Sequence, residues 1–316
     1  MSYASTGLIE ATDYNNLAWG GTQGTYTAVT KNIAYVMGVG TGATGYGQDV
    51  SPINTGAAAG VVTATQWSGL LTTLNKGLGH QSGAGAQLSV PTITAGGVIT
   101  YAATVATAVT TINTNAALAA AQGATTTGAN FDTTITTSTG ITTGTQYGLR
   151  TVSFASANAA RYFFNAGGQL NYYVSTPTGA GSAAQNSLIA LINGLGGWGQ
   201  KNTSSTGRTG SGITLNTNST TFGYRNNVLN TGTTVVQVTD TAAAYTADVG
   251  YIQVYTSSSD TTNGANGLNV IFFTLFNVAD HTLDDAISLT HRSRVDIVYP
   301  ESTYLTTNSW GTPTIT

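Results

Sequence analysis

Apolar positions along the chain keep more than one rhythm. After Thr63, the residues Trp67, Leu70, Leu71, Leu74 and Leu78 recur at helical spacing and share one face. Thr63 followed by Gln66 is the capping-box pattern that starts such a helix, and Gly77 or Gly79 is expected to stop it. Further on, Val98, Ala102, Val105, Val109, Ile112, Ala116 and Ala119 follow a 4-3-4-3-4-3 spacing, the a/d seam of a coiled coil. The intervening threonines favour strands. Over three heptads the spacing outweighs them, and a helix is predicted. Alanines at the seam suit packing against copies of the chain and close packing within one subunit equally.

From Tyr147 the period changes to two. "LRTVSFAS" (Leu149 to Ser156) alternates, and "RYFF" and "QLNYYV" flank "NAGG". This predicts a β-hairpin in which Gly167 and Gly168 turn the chain, with Tyr162 and Phe164 facing Leu170, Tyr172 and Val174. Roughly half of these aromatics are expected in a core that has few large aliphatics to fill it. Ser182 and Gln185 form a second capping box, so "NSLIALIN" reads as a short helix ended by Gly194. Five strand-like runs follow: "TTFGYR", "TTVVQVTD", "GYIQVYTS", "NVIFFTLFN" and "RSRVDIVYP". The fold class expected is α+β: a helical and loop-rich N-terminal half, then a mainly antiparallel β domain of six to eight strands with one inserted short helix. The boundaries are 1–97 for a docking region, 98–146 for the heptad-like helix and a Thr/Gly-rich linker, and 147–316 for the β domain. Within the middle segment, Gly123 to Gln146 reads as a linker or a set of edge strands.

Two N-terminal stretches start alike: "IEATDYNNL" (from Ile9) aligns without gaps to "VTATQWSGL" (from Val62). Between them "MGVGTGATGYGQDVSP" (Met37 to Pro52) is a glycine-punctuated loop or hairpin.

Composition narrows the function classes. Charged residues make up 7% of the 316, with nine Lys plus Arg against twelve Asp plus Glu, no Cys and 40 Gly. A net charge of −3 offers no field for phosphate backbones, so nucleic-acid binding is not expected. Without Cys there is neither a disulfide framework nor a thiolate zinc site. "MSYASTGLIE" has no basic and apolar pattern of a signal peptide, which predicts synthesis in the cytoplasm. The longest apolar run, from Asn269, is too short to span a bilayer, so no membrane insertion is expected.

Candidate chemistry is sparse. "DHTLDD" (Asp280 to Asp285) gathers acids and a His, but Asp280 and Asp284 would share one helical face and His281 and Asp285 another. A polar turn is the simpler reading. The glycines near Met37 lack the Lys of a phosphate loop. No G-x-S-x-G occurs, and Glu10 and Glu301 are the only glutamates. Arg292, Arg294 and Asp296 share one strand face as a cross-strand ion-pair row. No catalytic residue, metal ligand or cofactor is expected from these patterns.

"ATDYNNL", "GYGQ", "VTATQWSGLLTTL…GHQSG" and "TVSFASANAARYFFNAGGQLNYYVS" together resemble tailed-bacteriophage virion proteins, of the myovirus and cyanophage kind, from the tail, fibre, baseplate and neck genes. The matching residues are Thr63 to Gly83 and Ala160 to Asn186, with a weaker match at Ala11 to Leu17. In this resemblance Arg161, Tyr162, Phe163, Phe164, Gly167 and Gly168 belong to a structural hairpin motif. It implies a non-enzymatic virion subunit that works through repeated contacts with its own copies, a trimer being favoured, and with other virion proteins. Candidate assembly contacts are Trp67, Leu71, Leu74, Val98, Val105, Val109 and Ile112. Two rival readings are a receptor- or glycan-binding fibre module built on the Tyr-rich strands, with a host receptor as partner, and a hydrolase using Asp280, Asp284 and Asp285.

Overall fold

The structure is a computed structural model that describes residues 11–20, 32–53, 62–90, 102–137, 143–224, 231–242, 244–257, 269–278 and 286–316. The fold is α+β, with helices mostly in the N-terminal half and antiparallel strands in the C-terminal half. Two compact units interleave along the chain. The first comprises Met1–Ala124, Arg161–Gly167 and Pro300–Trp310; the second comprises Thr125–Ala160, Gly168–Tyr299 and Gly311–Thr316.

In the first unit, α1 (Ala11–Trp19), α2 (Ile33–Met37), α3 (Ala64–Ser82) and α4 (Ala102–Thr114) pack on one another. The predicted capping box at α3 is present: Gln66 N donates to Thr63 Oγ1 at 3.2 Å and Thr63 N to Gln66 Oε1 at 2.9 Å. Trp67, Leu70, Leu71, Leu74 and Leu78 are buried, as the periodicity requires. The helix runs on past Gly77 and Gly79 to a cap at Gly83. The two inner glycines permit close packing instead of ending the helix. A Cβ on Gly79 would lie 2.5 Å from Cε1 of Tyr304, and one on Gly77 would lie 3.1 Å from Met37 Sδ.

The coiled-coil spacing yields a shorter helix, α4, whose threonines stay compatible with it by bonding locally. The hydroxyls of Thr107, Thr110, Thr111 and Thr114 donate to the carbonyls four residues back, at 3.0 to 3.1 Å. Its apolar side lies inside the subunit: Val105, Val109 and Ile112 are buried, with α4 against α2 and α3. These three, together with Trp67, Leu71 and Leu74, are therefore core residues, unavailable for contacts with another copy. Val98 lies outside the described residues.

The second unit holds two six-stranded sheets where a single sheet was expected. The first consists of β1 (Gln122–Thr126), β2 (Phe131–Thr137), β4 (Gln169–Ser175), β5 (Gly197–Gln200), β6 (Ser205–Thr206) and β11 (Ile287–Pro300). Its order is β1-β11-β4-β5-β6, with β2 also on β11. The second has β3 (Gln146–Ser153), β7 (Thr214–Asn218), β8 (Thr233–Thr239), β9 (Val249–Thr256), β10 (Asn269–Asn277) and β12 (Thr314–Ile315), in the order β12-β3-β10-β9-β8-β7. Strands β1 and β2 both fall in the segment read as linker or edge strands. "TTFGYR" contributes no strand among its described residues, although Phe222 and Tyr224 are buried.

Aromatic rings bring the two sheets together. Tyr172 of β4 stacks on Phe272 of β10, with centroids 5.4 Å apart and planes 11° from parallel. Trp198 of β5 lies 6.4 Å from the same Phe272 and 5.8 Å from Phe222. Large rings thus fill a core poor in aliphatics. Helix α6 (Ala183–Leu195) packs on β4, β8 and β9 and starts at Ser182, whose hydroxyl accepts from Gln185 N at 3.3 Å. It passes Gly194 and ends at Gly196, with φ +63°.

The "RYFF/NYYV" hairpin is corrected by the structure. Residues Ala157–Asn165 form helix α5, so Arg161, Tyr162, Phe163 and Phe164 are helical and only the second arm, β4, is a strand. Ser156 starts the helix by accepting Ala159 N at 3.0 Å, and the alanines that follow favour it. Gly167, at φ +89°, takes the chain out of the helix through the bond from its N–H to Phe164 O, and Gly168 leads into β4.

Candidate functional site

Three polar constellations stand out, and the first joins two of the sequence motifs. Within the first unit, the glycine loop after α2 folds back so tightly that Gly40 and Gly45 meet. A Cβ on Gly40, at φ +33°, would lie 2.5 Å from Gly45 N. The loop turns its carbonyls toward α5. Arg161 donates to Thr44 O at 2.9 Å and to Val39 O at 2.6 Å. The amide of Asn165 donates to the carbonyls of Gly42, Thr44 and Gly45 at 3.1, 2.7 and 3.2 Å. Arg161 and Asn165 are both buried. A loop that aims carbonyl oxygens at a guanidinium is the reverse of a phosphate cradle, which aims N–H groups at an anion. The "ARYFFN" motif is a clamp on the "GVGTGATGYG" motif.

The second constellation continues from the same loop. Tyr46 donates to Ala116 O at 3.0 Å, and Gln81 donates to Tyr46 Oη and to Ile112 O, both at 2.8 Å. Beside them His80 Nδ1 lies 3.0 Å from Glu301 Oε1, with the ring of Tyr46 edge-on to the imidazole at 4.7 Å. The other carboxylate oxygen of Glu301 accepts Thr303 N at 2.6 Å and Tyr304 N at 3.0 Å. Burial opposes ionisation of Glu301, yet the bonds from His80 and the two backbone N–H groups together hold the carboxyl below its ordinary range. The same burial pushes the Tyr46 hydroxyl far above its ordinary value. A His–carboxylate pair can orient a general base. Here His80 is 0% exposed and Glu301 5%, so no substrate reaches the imidazole, and the pair anchors the Pro300–Trp310 segment.

The third constellation lies on the outward face of β4 and β11 in the second unit. A cleft of about 260 Å³ is lined there by Asn130, Tyr173, Ser175, Thr209, Arg292 and Arg294, among others. The expected ion-pair row is present in a different arrangement. Arg292 grips Asp132 of β2 across the strands through two bonds of 2.7 Å, whereas Arg294 pairs along its own strand with Asp296 at 2.9 Å. The hydrogen bonds from Arg292 hold the Asp132 carboxyl below its ordinary range. The Arg294 guanidinium also sits over the ring of Tyr173 at 5.0 Å. Burial, helped by the Asp296 charge, raises the Tyr173 hydroxyl. Charge in the cleft is therefore balanced, and what it offers is a dense set of hydroxyls, an amide and guanidinium edges.

Sequence reasoning missed the His80–Glu301 pair and the Arg161–Asn165 clamp, because their partners are remote in the chain and no local pattern marks them. It also passed over Asp240 and Asp248, both buried, which converge on Ser187 Oγ at 2.5 and 3.5 Å. The "DHTLDD" cluster lies outside the described residues, and among the described residues no group of three or more acidic, His or Cys side chains is placed to hold a metal ion. No described helix is long and apolar enough to cross a membrane. No known protein family, curated protein or solved structure matches this chain.

Proposed function

We propose that the chain is a non-enzymatic structural subunit of a tailed-phage particle, in its tail, baseplate, fibre or neck, working through repeated contacts with its own copies and with other virion proteins. The observation that carries this reading is the character of its exposed edges. Strand β7 ends the second sheet with the sequence TLNTN, four of whose five residues are exposed, with no charge and no proline. Soluble proteins normally protect such edges with Lys, Glu or Pro. The outer face of α4 is likewise a row of threonine hydroxyls. Exposed apolar residues accompany them: Leu215 on β7 itself, and Phe131 on β2 and Leu149 on β3 elsewhere in the sheets. Surfaces of this kind can be buried between subunits with little cost for desolvating charge. The sequence resemblance to tailed-phage virion proteins points the same way, and the favoured state is a trimer. Because the seam of α4 and the apolar face of α3 are internal, assembly is assigned to these outer edges. Sedimentation of the full chain at micromolar concentration should show a stable oligomer, and density for the chain should repeat about a symmetry axis of the particle. A stable monomer absent from purified particles would overturn the proposal.

A second reading, a receptor- or glycan-binding fibre module, is favoured by one observation, the charge-balanced polar cleft on β4 and β11. Planar guanidinium and amide groups match the vicinal hydroxyls of a saccharide. Tyr172 is buried and Tyr173 is flanked by Arg294 and Gly197, so polar contacts rather than ring stacking would hold the sugar. A glycan array probed with the wild type and with Arg294→Ala separates the readings. Signal that Arg294→Ala abolishes supports the module, and a blank array removes it.

A further inference from the structure

The two ion pairs beside the cleft on β4 and β11 cancel in net charge but not in direction. Arg292 and Arg294 alternate onto one face of β11, roughly 7 Å apart along the strand, and both line the cleft. Their partners do not: neither Asp132 nor Asp296 is part of the lining. Each carboxylate takes the Nε–Nη2 edge of its arginine, at 2.7 Å for Arg292 and at 2.9 and 3.2 Å for Arg294. The Nη1 group of each arginine has no protein acceptor among the described residues, and each side chain is 33% exposed. The positive ends of both pairs therefore border the open space.

A third guanidinium stands behind another part of the wall. Gly196 lines the cleft at φ +63°, and a Cβ on it would lie 2.3 Å from both Gly210 Cα and Gly210 N. Only two bare backbones can approach so closely, and the approach brings Arg208 with it. Its Nη2 lies 3.3 Å from the place a Gly210 Cβ would occupy. Among the described residues Arg208 has no carboxylate partner, and its Nε and Nη2 are buried without a hydrogen-bond partner. Three guanidiniums thus accompany two carboxylates around the cleft, an excess of one positive charge. The rest of the polar lining is neutral: the hydroxyls of Tyr173, Ser175 and Thr209 and the amide of Asn130.

We propose that the cleft selects a single acidic sugar residue, its carboxylate between the guanidinium ends of Arg292 and Arg294 and its hydroxyls on Ser175, Thr209 and Asn130. This rests on the second reading above, a glycan-binding module, and adds the charge and the size of the ligand. The sign follows from the two guanidinium ends and the unpaired Arg208 behind them. A planar carboxylate matches the edge of a guanidinium with two parallel bonds. The size follows from the volume of about 260 Å³, just under the roughly 300 Å³ at which pockets for drug-sized molecules begin. One ring fits, and a longer chain would continue over the surface. The neutral hydroxyls and the amide answer the hydroxyls of a sugar ring, which a bare anion lacks.

The test titrates the full chain with glucuronate, glucose and glucose 6-phosphate, which share a ring and differ at one substituent, and with acetate as the bare carboxylate. Binding is followed by ligand-observed NMR. Glucuronate should bind at least about tenfold more tightly than glucose, and acetate should not displace it at equal concentration. The preference should shrink as sodium chloride is added. Arg208→Gln should weaken glucuronate about threefold and leave glucose unchanged. That guanidinium makes no hydrogen bond among the described residues, so the variant should keep its melting temperature. Should it fail to fold, the salt series on the wild type takes its place, and a preference indifferent to salt overturns the proposal. Equal affinity for glucuronate and glucose overturns the acidic selectivity and leaves the glycan-binding reading standing. Tighter binding of glucose 6-phosphate, or displacement by acetate, overturns the assignment of a sugar carboxylate. Binding of none of the sugars overturns both this inference and the reading beneath it.

Discussion

His80 Nδ1 and Glu301 Oε1 lie 3.0 Å apart, although 221 residues separate them in the chain. Both are buried, and the contact fixes the Pro300–Trp310 segment to α3 within the first unit. Its removal has a definite consequence. His80→Ala leaves a buried carboxylate with only two backbone donors and should destabilise the chain by about 3 kcal/mol in urea unfolding. The sign of the pH dependence follows from Glu301, whose folded pKa is depressed. Its contribution is present above the unfolded pKa and is lost as pH falls through the folded one. In Glu301→Gln that part of the acid sensitivity should vanish.

Arg161 and Asn165 make one clamp on the glycine loop. Arg161→Lys keeps the charge but cannot bridge Thr44 O and Val39 O with a fixed fork. A loss of roughly 2 kcal/mol is expected in thermal unfolding. Asn165→Ala should cost a comparable amount, and the two losses should not add, since both residues serve Thr44 O.

The second unit carries its own acid switch. Burial, opposed by a backbone hydrogen bond to the ring and by the Asp132 charge and assisted by the nearby Arg150 charge, lowers His291 from 6.5 to about 4. The folded state therefore prefers the neutral ring. Stability is full above the unfolded pKa and falls as pH drops from about 6.5 toward 4, by roughly 3 kcal/mol in total. His291→Leu should flatten the pH dependence of the melting temperature across that window. An unchanged slope would show that other groups govern it.

Two glycines at neighbouring positions should answer alanine in opposite ways. Gly79→Ala drives a methyl group to 2.5 Å from a ring carbon of Tyr304 and should destabilise the chain by about 1–3 kcal/mol. Gly85 has open space around its Cα and an ordinary φ, so Gly85→Ala should be neutral or stabilising by up to about 0.5 kcal/mol. Paired melting curves decide the point.

What the sequence by itself determined was local. The capping box at Thr63, the buried face of α3, the strands β8 to β11 and the α+β class depend on contacts within a few residues, and periodicity records such contacts directly. Helix α5 has a local start signal in Ser156, but the strand propensity of "RYFF" points the other way, and one serine is too weak a signal to reverse it. The tertiary structure alone decided which apolar faces are internal. A seam of Val105, Val109 and Ile112 has the same spacing whether it meets α2 and α3 or another subunit, and burial selects between the two. It alone also paired Arg161 with Thr44, His80 with Glu301 and Arg150 with Ser293. Hydrogen bonds between groups over a hundred residues apart leave no periodic trace, since their geometry exists only once the chain has closed on itself.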